Sequence, residues 1–199
     1  MAVEPSPPNW GREFDPDRLA GIELSAWKAY YRRQPMRLFA LLVQVNREQS
    51  GAGWLRSVLA AFFLARAAVR FGRETDDYER FAPDIARGYR LLGLPPGVDA
   101  HEVARRELRW WVVRREIGLS AGDAAGAAIT ELYSALYGLP KEAVAAAGAL
   151  RGQAAEVRDR GAADDPDGPA GAGHTYWPQV GRLLRDSYRS LKAAVTQAR

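Results

Sequence analysis

Cysteine is absent from this chain, and histidine occurs only twice, as His101 and His174. The first absence excludes disulfide scaffolds, zinc fingers, iron–sulfur sites, thiol nucleophiles and thiolate haem ligation. The second leaves no His-x-x-x-His or Glu-x-x-His spacing, so neither a zinc hydrolase nor a ferritin-type di-iron helix pair is supported. No Gly-x-Ser-x-Gly elbow is present to serve Ser-His catalysis. Long apolar runs are missing too. Leu38 to Val43 and Val58 to Ala65 fall far short of the ~20 residues that a membrane span needs. The opening Met-Ala-Val-Glu-Pro-Ser-Pro-Pro lacks a basic segment followed by an apolar one, so no signal peptide is visible and a cytoplasmic protein is expected, with no membrane partner.

Lysine is scarce as well, with 3 Lys against 25 Arg, a ratio that with abundant Ala and Gly fits a bacterial, GC-rich genome. The net charge of +4 is modest for 199 residues. The arginines are spread along the chain and interleaved with acids, which speaks against a nucleic-acid partner, since that calls for a contiguous basic stripe. A chain of this length buries enough surface to fold without disulfides or a structural metal.

What is present is helical pattern. Residues 1–16 hold four of the twelve prolines and read as an extended arm, laid on the body through Trp10 and Phe14. Helical segments follow from about Asp17 to Gln34, from Pro35 to Gln49, from Trp54 to Phe71, and from Thr75 or Asp76 to Leu92. Further segments run from Asp99 to Ile117, from Ala121 to Tyr137, from Pro140 to Arg160 and from Tyr176 to Gln197. Residues 161–173 read as an acidic Gly/Pro-rich loop, and residues 174–199 as a C-terminal helix packing on the main bundle of residues 17–160. No stretch alternates at period two. The expected fold is all-α, a single-domain helical bundle of seven or eight helices.

Placing each side chain at about 100° per residue finds charges inside apolar stripes. Glu23 lies among Leu19, Ile22, Ala26, Trp27 and Tyr30. Glu107 and Arg114 share a stripe with Val103, Trp110, Trp111 and Ile117. Arg66 is surrounded by Leu55, Val58, Leu59, Phe62, Phe63 and Val69, while Asn46 and Gln49 occupy a similar position beyond Pro35. An isolated buried charge costs several kcal/mol unless it is partnered. Glu23, Glu107, Arg66 and Arg114 are therefore expected to meet inside the bundle, with Trp27, Tyr30, Trp110 and Trp111 around them.

Convergent charges among aromatic rings suit a small acidic or aromatic ligand. Arg66 and Arg114 would hold an anion, and Glu23 and Glu107 would act as catalytic acid and base without a cofactor. Glu23, Glu48 and Glu107 are the nearest approach to a carboxylate metal site; the missing histidines and nearby arginines count against it, so no metal is expected. The adjacent pairs Tyr30-Tyr31 and Trp110-Trp111 each turn one ring to the core and one outward, which suits a homodimer. The alternative reading is a non-enzymatic interaction or regulatory protein whose core charges are structural salt bridges. The run Tyr89 to Val103 resembles the opening of a J-domain, yet Ile117-Gly118-Leu119 stands where that family carries its His-Pro-Asp triplet, and no function is carried across.

Overall fold

A computed structural model describes residues 10, 13–73, 76–117, 122–163 and 175–198. Eight α-helices occur among them: α1 (Pro16–Tyr31), α2 (Pro35–Ser50), α3 (Trp54–Arg73), α4 (Ala82–Leu92), α5 (Ala100–Ile117), α6 (Gly122–Tyr137), α7 (Lys141–Ala163) and α8 (Trp177–Gln197). A 3-10 turn, Tyr78–Phe81, precedes α4. No strand occurs among the described residues. The fold is the expected all-α single-domain bundle. No single described helix is long and apolar enough to cross a membrane.

Local chemistry sets the breaks between helices. Asp15 caps α1, its carboxylate accepting from the Asp17 and Arg18 amides at 2.9 and 3.1 Å, and Pro16 takes the first turn, where no amide donor is needed. Pro35 restarts the chain as α2 rather than kinking one long helix; α1 stops at Tyr31, and Arg33 adopts a φ of 53° in the link. Gly51 closes α2 in the left-handed conformation, φ 69°, the region that glycine enters without steric cost. The Asp99 carboxylate accepts from the His101 amide at 3.0 Å at the start of α5. α7 continues through Gly161 to Ala163, three residues into the segment read as loop; the rest of that segment and His174 lie outside the described residues, as do residues 1–9.

Each helix packs on its chain neighbours, and α8 returns to α1, so the eight form a closed ring. Ile85, Leu92, Val103, Leu108, Ile129, Val144, Leu184 and Leu191 are buried in it. From the arm, Trp10 and Phe14 are also buried; Trp10 lies 6.1 Å from the Tyr89 ring and 6.2 Å from the Tyr137 ring.

α3 departs from the expected packing. Its inward face consists of Ser57, Ala60, Ala61, Ala67 and Phe71, while Trp54, Leu55, Leu59, Phe62 and Val69 are 63, 63, 42, 51 and 56 % exposed. Leu55, Leu59, Phe62 and Val69 of the stripe that was expected to face the core face outward, while Val58 and Phe63 are half-buried. The physical reason is close approach: a Cβ placed on Gly88 of α4 would lie 2.9 Å from Leu64 Cγ and 3.3 Å from the Ala60 carbonyl oxygen. The missing side chain of Gly88 admits Leu64 and the Ala60 backbone of α3 this closely, so the Ala60 side of α3 is the one that packs on α4.

Candidate functional site

The polar centre of the ring begins with Glu23 on α1, which is buried despite its charge. Its carboxylate pairs with the guanidinium of Arg151 on α7, receives the Tyr188 hydroxyl of α8, and accepts from Trp27 Nε1 at 3.1 Å. Arg151 also donates to the Tyr133 and Tyr188 hydroxyls at 3.0 and 3.2 Å and lies 5.8 Å from the centre of the Trp110 ring. Burial works against the charge on Arg151, but Glu23 and the tyrosine hydroxyls outweigh it and hold the guanidinium protonated well above its ordinary range. Burial, with Glu23 adding to it, pushes Tyr188 well above the usual phenol range and Tyr133 above it. Both therefore serve as neutral hydrogen-bonding groups.

Glu107 of α5 forms the second part. Tyr89 donates to its Oε2 at 2.9 Å, while the indoles of Trp110 and Trp111 donate to Oε1 at 3.2 and 3.0 Å. Burial raises the Glu107 carboxyl above the usual range, and its three donors and the field of Arg151 pull it partway back. Arg114 lies in a third cluster: it donates to Asp159 of α7 at 2.7 Å and to the Tyr31 hydroxyl at 2.8 Å, with its guanidinium 5.7 Å from the Trp27 ring centre. Arg158 shares Asp159 at 2.7 Å.

Among the residues picked from helical phase, the structure brings Glu23, Trp27, Glu107, Trp110, Trp111 and Arg114 to this hub, arranged as three linked clusters. Asn46 and Gln49 also point inward, donating to the Ser57 carbonyl at 3.4 Å and to Tyr137 at 2.7 Å. Arg66 is not there. It sits on the outer side of α3 and grips Asp84 of α4 with two nitrogens, Nε at 2.9 Å, because the large residues around it turn outward. Tyr30 is also displaced, being 62 % exposed, and Tyr31 takes the inner place. Glu48 binds Arg18 at 3.1 Å and the Asp15 amide at 3.0 Å, away from Glu23 and Glu107. Among the described residues, no three carboxylates or histidines are grouped to hold a metal ion.

Helical phase missed Arg151, the cation at the centre. It lies in register with Val144, Ala147, Gly148 and Ala155 on the buried face of α7, a guanidinium inside a stripe of small residues. That signal was present in the sequence, hidden by the alanine content of the segment. The small residues also explain how Arg151 gets in: α6 and α7 touch so closely that a Cβ on Gly152 would lie 2.6 Å from the Gly126 amide nitrogen.

A cleft of about 560 Å³ lies elsewhere, lined by Tyr78, Glu102, Arg105, Arg106, Arg109 and Val112 among others; Glu23, Glu107, Arg114 and Arg151 are not among its lining residues. Within it Glu102 is held by Arg105 and Arg106 at 2.6 and 2.7 Å.

Comparison with known protein families, curated proteins and solved structures yields no match for this chain.

Proposed function

We propose that this protein is an interaction protein, built around a structural polar hub and working through the outer face of α3. One observation carries the reading: α3 turns Ala60, Ala61 and Ala67 inward and Trp54, Leu55, Leu59, Phe62 and Val69 to solvent, Trp54 and Leu55 each 63 % exposed. Exposed apolar residues on a single face, bordered by charge, mark a surface that is covered in use. The hub supports the same reading from the other side. Glu23, Glu107 and Arg114 each spend their hydrogen-bonding capacity on neighbouring side chains, as structural ion pairs do.

The test is a photo-reactive amino acid in place of Leu59, in cells that make the protein, beside the same group in place of Arg109 on α5. A discrete adduct from position 59 that is absent from position 109 is expected. No adduct at 59, or the same adducts from both, overturns the reading.

A second reading, a small acidic or aromatic ligand drawn into the Trp/Tyr-lined hub for Glu acid–base chemistry, draws on one specific feature. The Glu107 carboxyl is held above its ordinary range by burial, the condition that readies a carboxyl for proton transfer near neutral pH. Its test is a screen of aromatic carboxylates by thermal shift against the native chain and Glu107→Gln. Stabilisation lost in the variant supports it, and no stabilisation of the native chain removes it.

A further inference from the structure

The exposed face of α3 has a spacing as well as a composition. Leu55, Leu59, Phe62, Arg66, Val69 and Arg73 succeed one another at intervals of four, three, four, three and four, the heptad rhythm with which one helix meets another. At about 1.5 Å per residue the 20-residue helix offers a seam of about 30 Å. Its first half is apolar and its second half cationic.

The charge carried by α2 and α3 themselves is predominantly of one sign. From Pro35 to Arg73 the chain carries six arginines and one glutamate, a net positive charge larger than the +4 of the whole protein. The one glutamate, Glu48, is bound to Arg18. Beside the seam, buried Asp84 is shared by Arg66, Arg70 at 3.5 Å and Arg87 at 3.7 Å. One carboxylate among three guanidiniums leaves two positive charges in excess at the edge of the apolar stripe.

We propose, resting on the interaction reading above, that the α3 seam docks an acidic amphipathic helix of a partner protein. Its apolar residues would cover Leu55, Leu59 and Phe62, and its carboxylates would meet Arg66 and Arg73. Helix-in-groove recognition of this kind reads anchors at the same spacing. Two other occupants fit less well. A second copy brings more arginine and no carboxylate to the seam. An anionic bilayer favours a helix with its cations at the flanks of the apolar face, whereas Arg73 continues the midline of this one, four residues beyond Val69.

The experiment uses the full chain and a labelled synthetic peptide of three heptads, with leucine at a and d, glutamate at e and g, and alanine elsewhere. Glutamine and lysine versions of the peptide, and vesicles of phosphatidylcholine and phosphatidylglycerol, serve as comparisons. Fluorescence anisotropy should give saturable binding of the glutamate peptide, about tenfold weaker for the glutamine version and absent for the lysine version. Arg66→Gln with Arg73→Gln should weaken the glutamate peptide by about the same factor while leaving the glutamine peptide unchanged. Arg73→Glu alone, at an exposed position away from Asp84, should weaken it in the same direction and guards against a folding defect.

Equal binding of the glutamate and glutamine peptides overturns the acidic partner, as does absence of peptide binding. Preference for the vesicles, or a dimer by light scattering that Leu59→Ser with Phe62→Ser dissolves, overturns it too and leaves the α3 interaction reading in place. Should that double variant alter none of these associations, the interaction reading falls with it.

Discussion

The hub and the α3 face are both places where the ordinary rule of apolar inside and polar outside is broken, and they are broken in opposite senses. In the hub, Glu23, Arg151, Glu107 and Arg114 go in, and every one of them arrives with partners from other helices. On α3, Leu55, Leu59, Phe62 and Val69 go out, and their rings and methyl groups meet solvent. A buried charge with partners is complete within the chain. An exposed apolar stripe is incomplete, and the missing component lies outside it.

The largest effect is expected where the hub is broken. Arg151→Met strands the Glu23 carboxylate beside two tyrosines and a tryptophan, and should cost about 3–5 kcal/mol, on the order of ten degrees of melting temperature for a chain of this size. Arg151→Met combined with Glu23→Gln should be less damaging than the sum of the two single changes, since neither then leaves a charge alone. Differential scanning calorimetry checks both; strict additivity would mean that the pair is not coupled.

Next in size is the Asp84 cluster, which lies between the two regions. Asp84→Asn leaves Arg66, Arg70 and Arg87 facing one another and should cost about 1–2 kcal/mol, with the loss growing as salt is lowered. A loss that ignores salt would deny the crowding of like charges.

Smallest is Glu107→Gln, whose mark is its pH dependence. Burial raises the folded carboxyl above its unfolded value, so this group contributes stability at low pH that is lost as pH rises through the raised value. Glutamine has no such dependence. The variant's melting temperature relative to the native chain should therefore climb from acid to neutral pH; a fall over that range would place the carboxyl in the opposite environment.

The fold was largely legible in the sequence because breakers and caps such as Pro35, Gly51 and Asp99 act locally; the Asp15 cap, two residues before the expected start of α1, was not read. The phases of α1 and α5 were legible over most of their length, since Glu23 shares a stripe with buried Leu19 and Ala26 and Glu107 with buried Val103, while Tyr30 and Ile117 at the ends of those stripes are exposed. Two larger features were not legible. Arg151 was concealed because alanine and glycine give little hydrophobic contrast, so the stripe that contains it does not announce a buried face. The direction of α3 was inverted because amphipathicity identifies a face and says nothing of what it packs against; Gly88 on α4, 28 residues beyond Ala60 in the chain, selects the inward side by admitting Leu64 and the Ala60 backbone closely.

Adjacent residues on α3 give the most direct measurement of the central claim, that this helix carries the Leu55, Leu59, Phe62 and Val69 face on the outside. The melting temperatures of Leu59→Ser and Ala60→Leu are compared under identical conditions. Removing the exposed leucine should change stability by no more than about 0.5 kcal/mol, whereas enlarging the fully buried alanine should cost about 1–3 kcal/mol. The reverse order, with Leu59→Ser strongly destabilising and Ala60→Leu tolerated, would turn α3 around and contradict the claim.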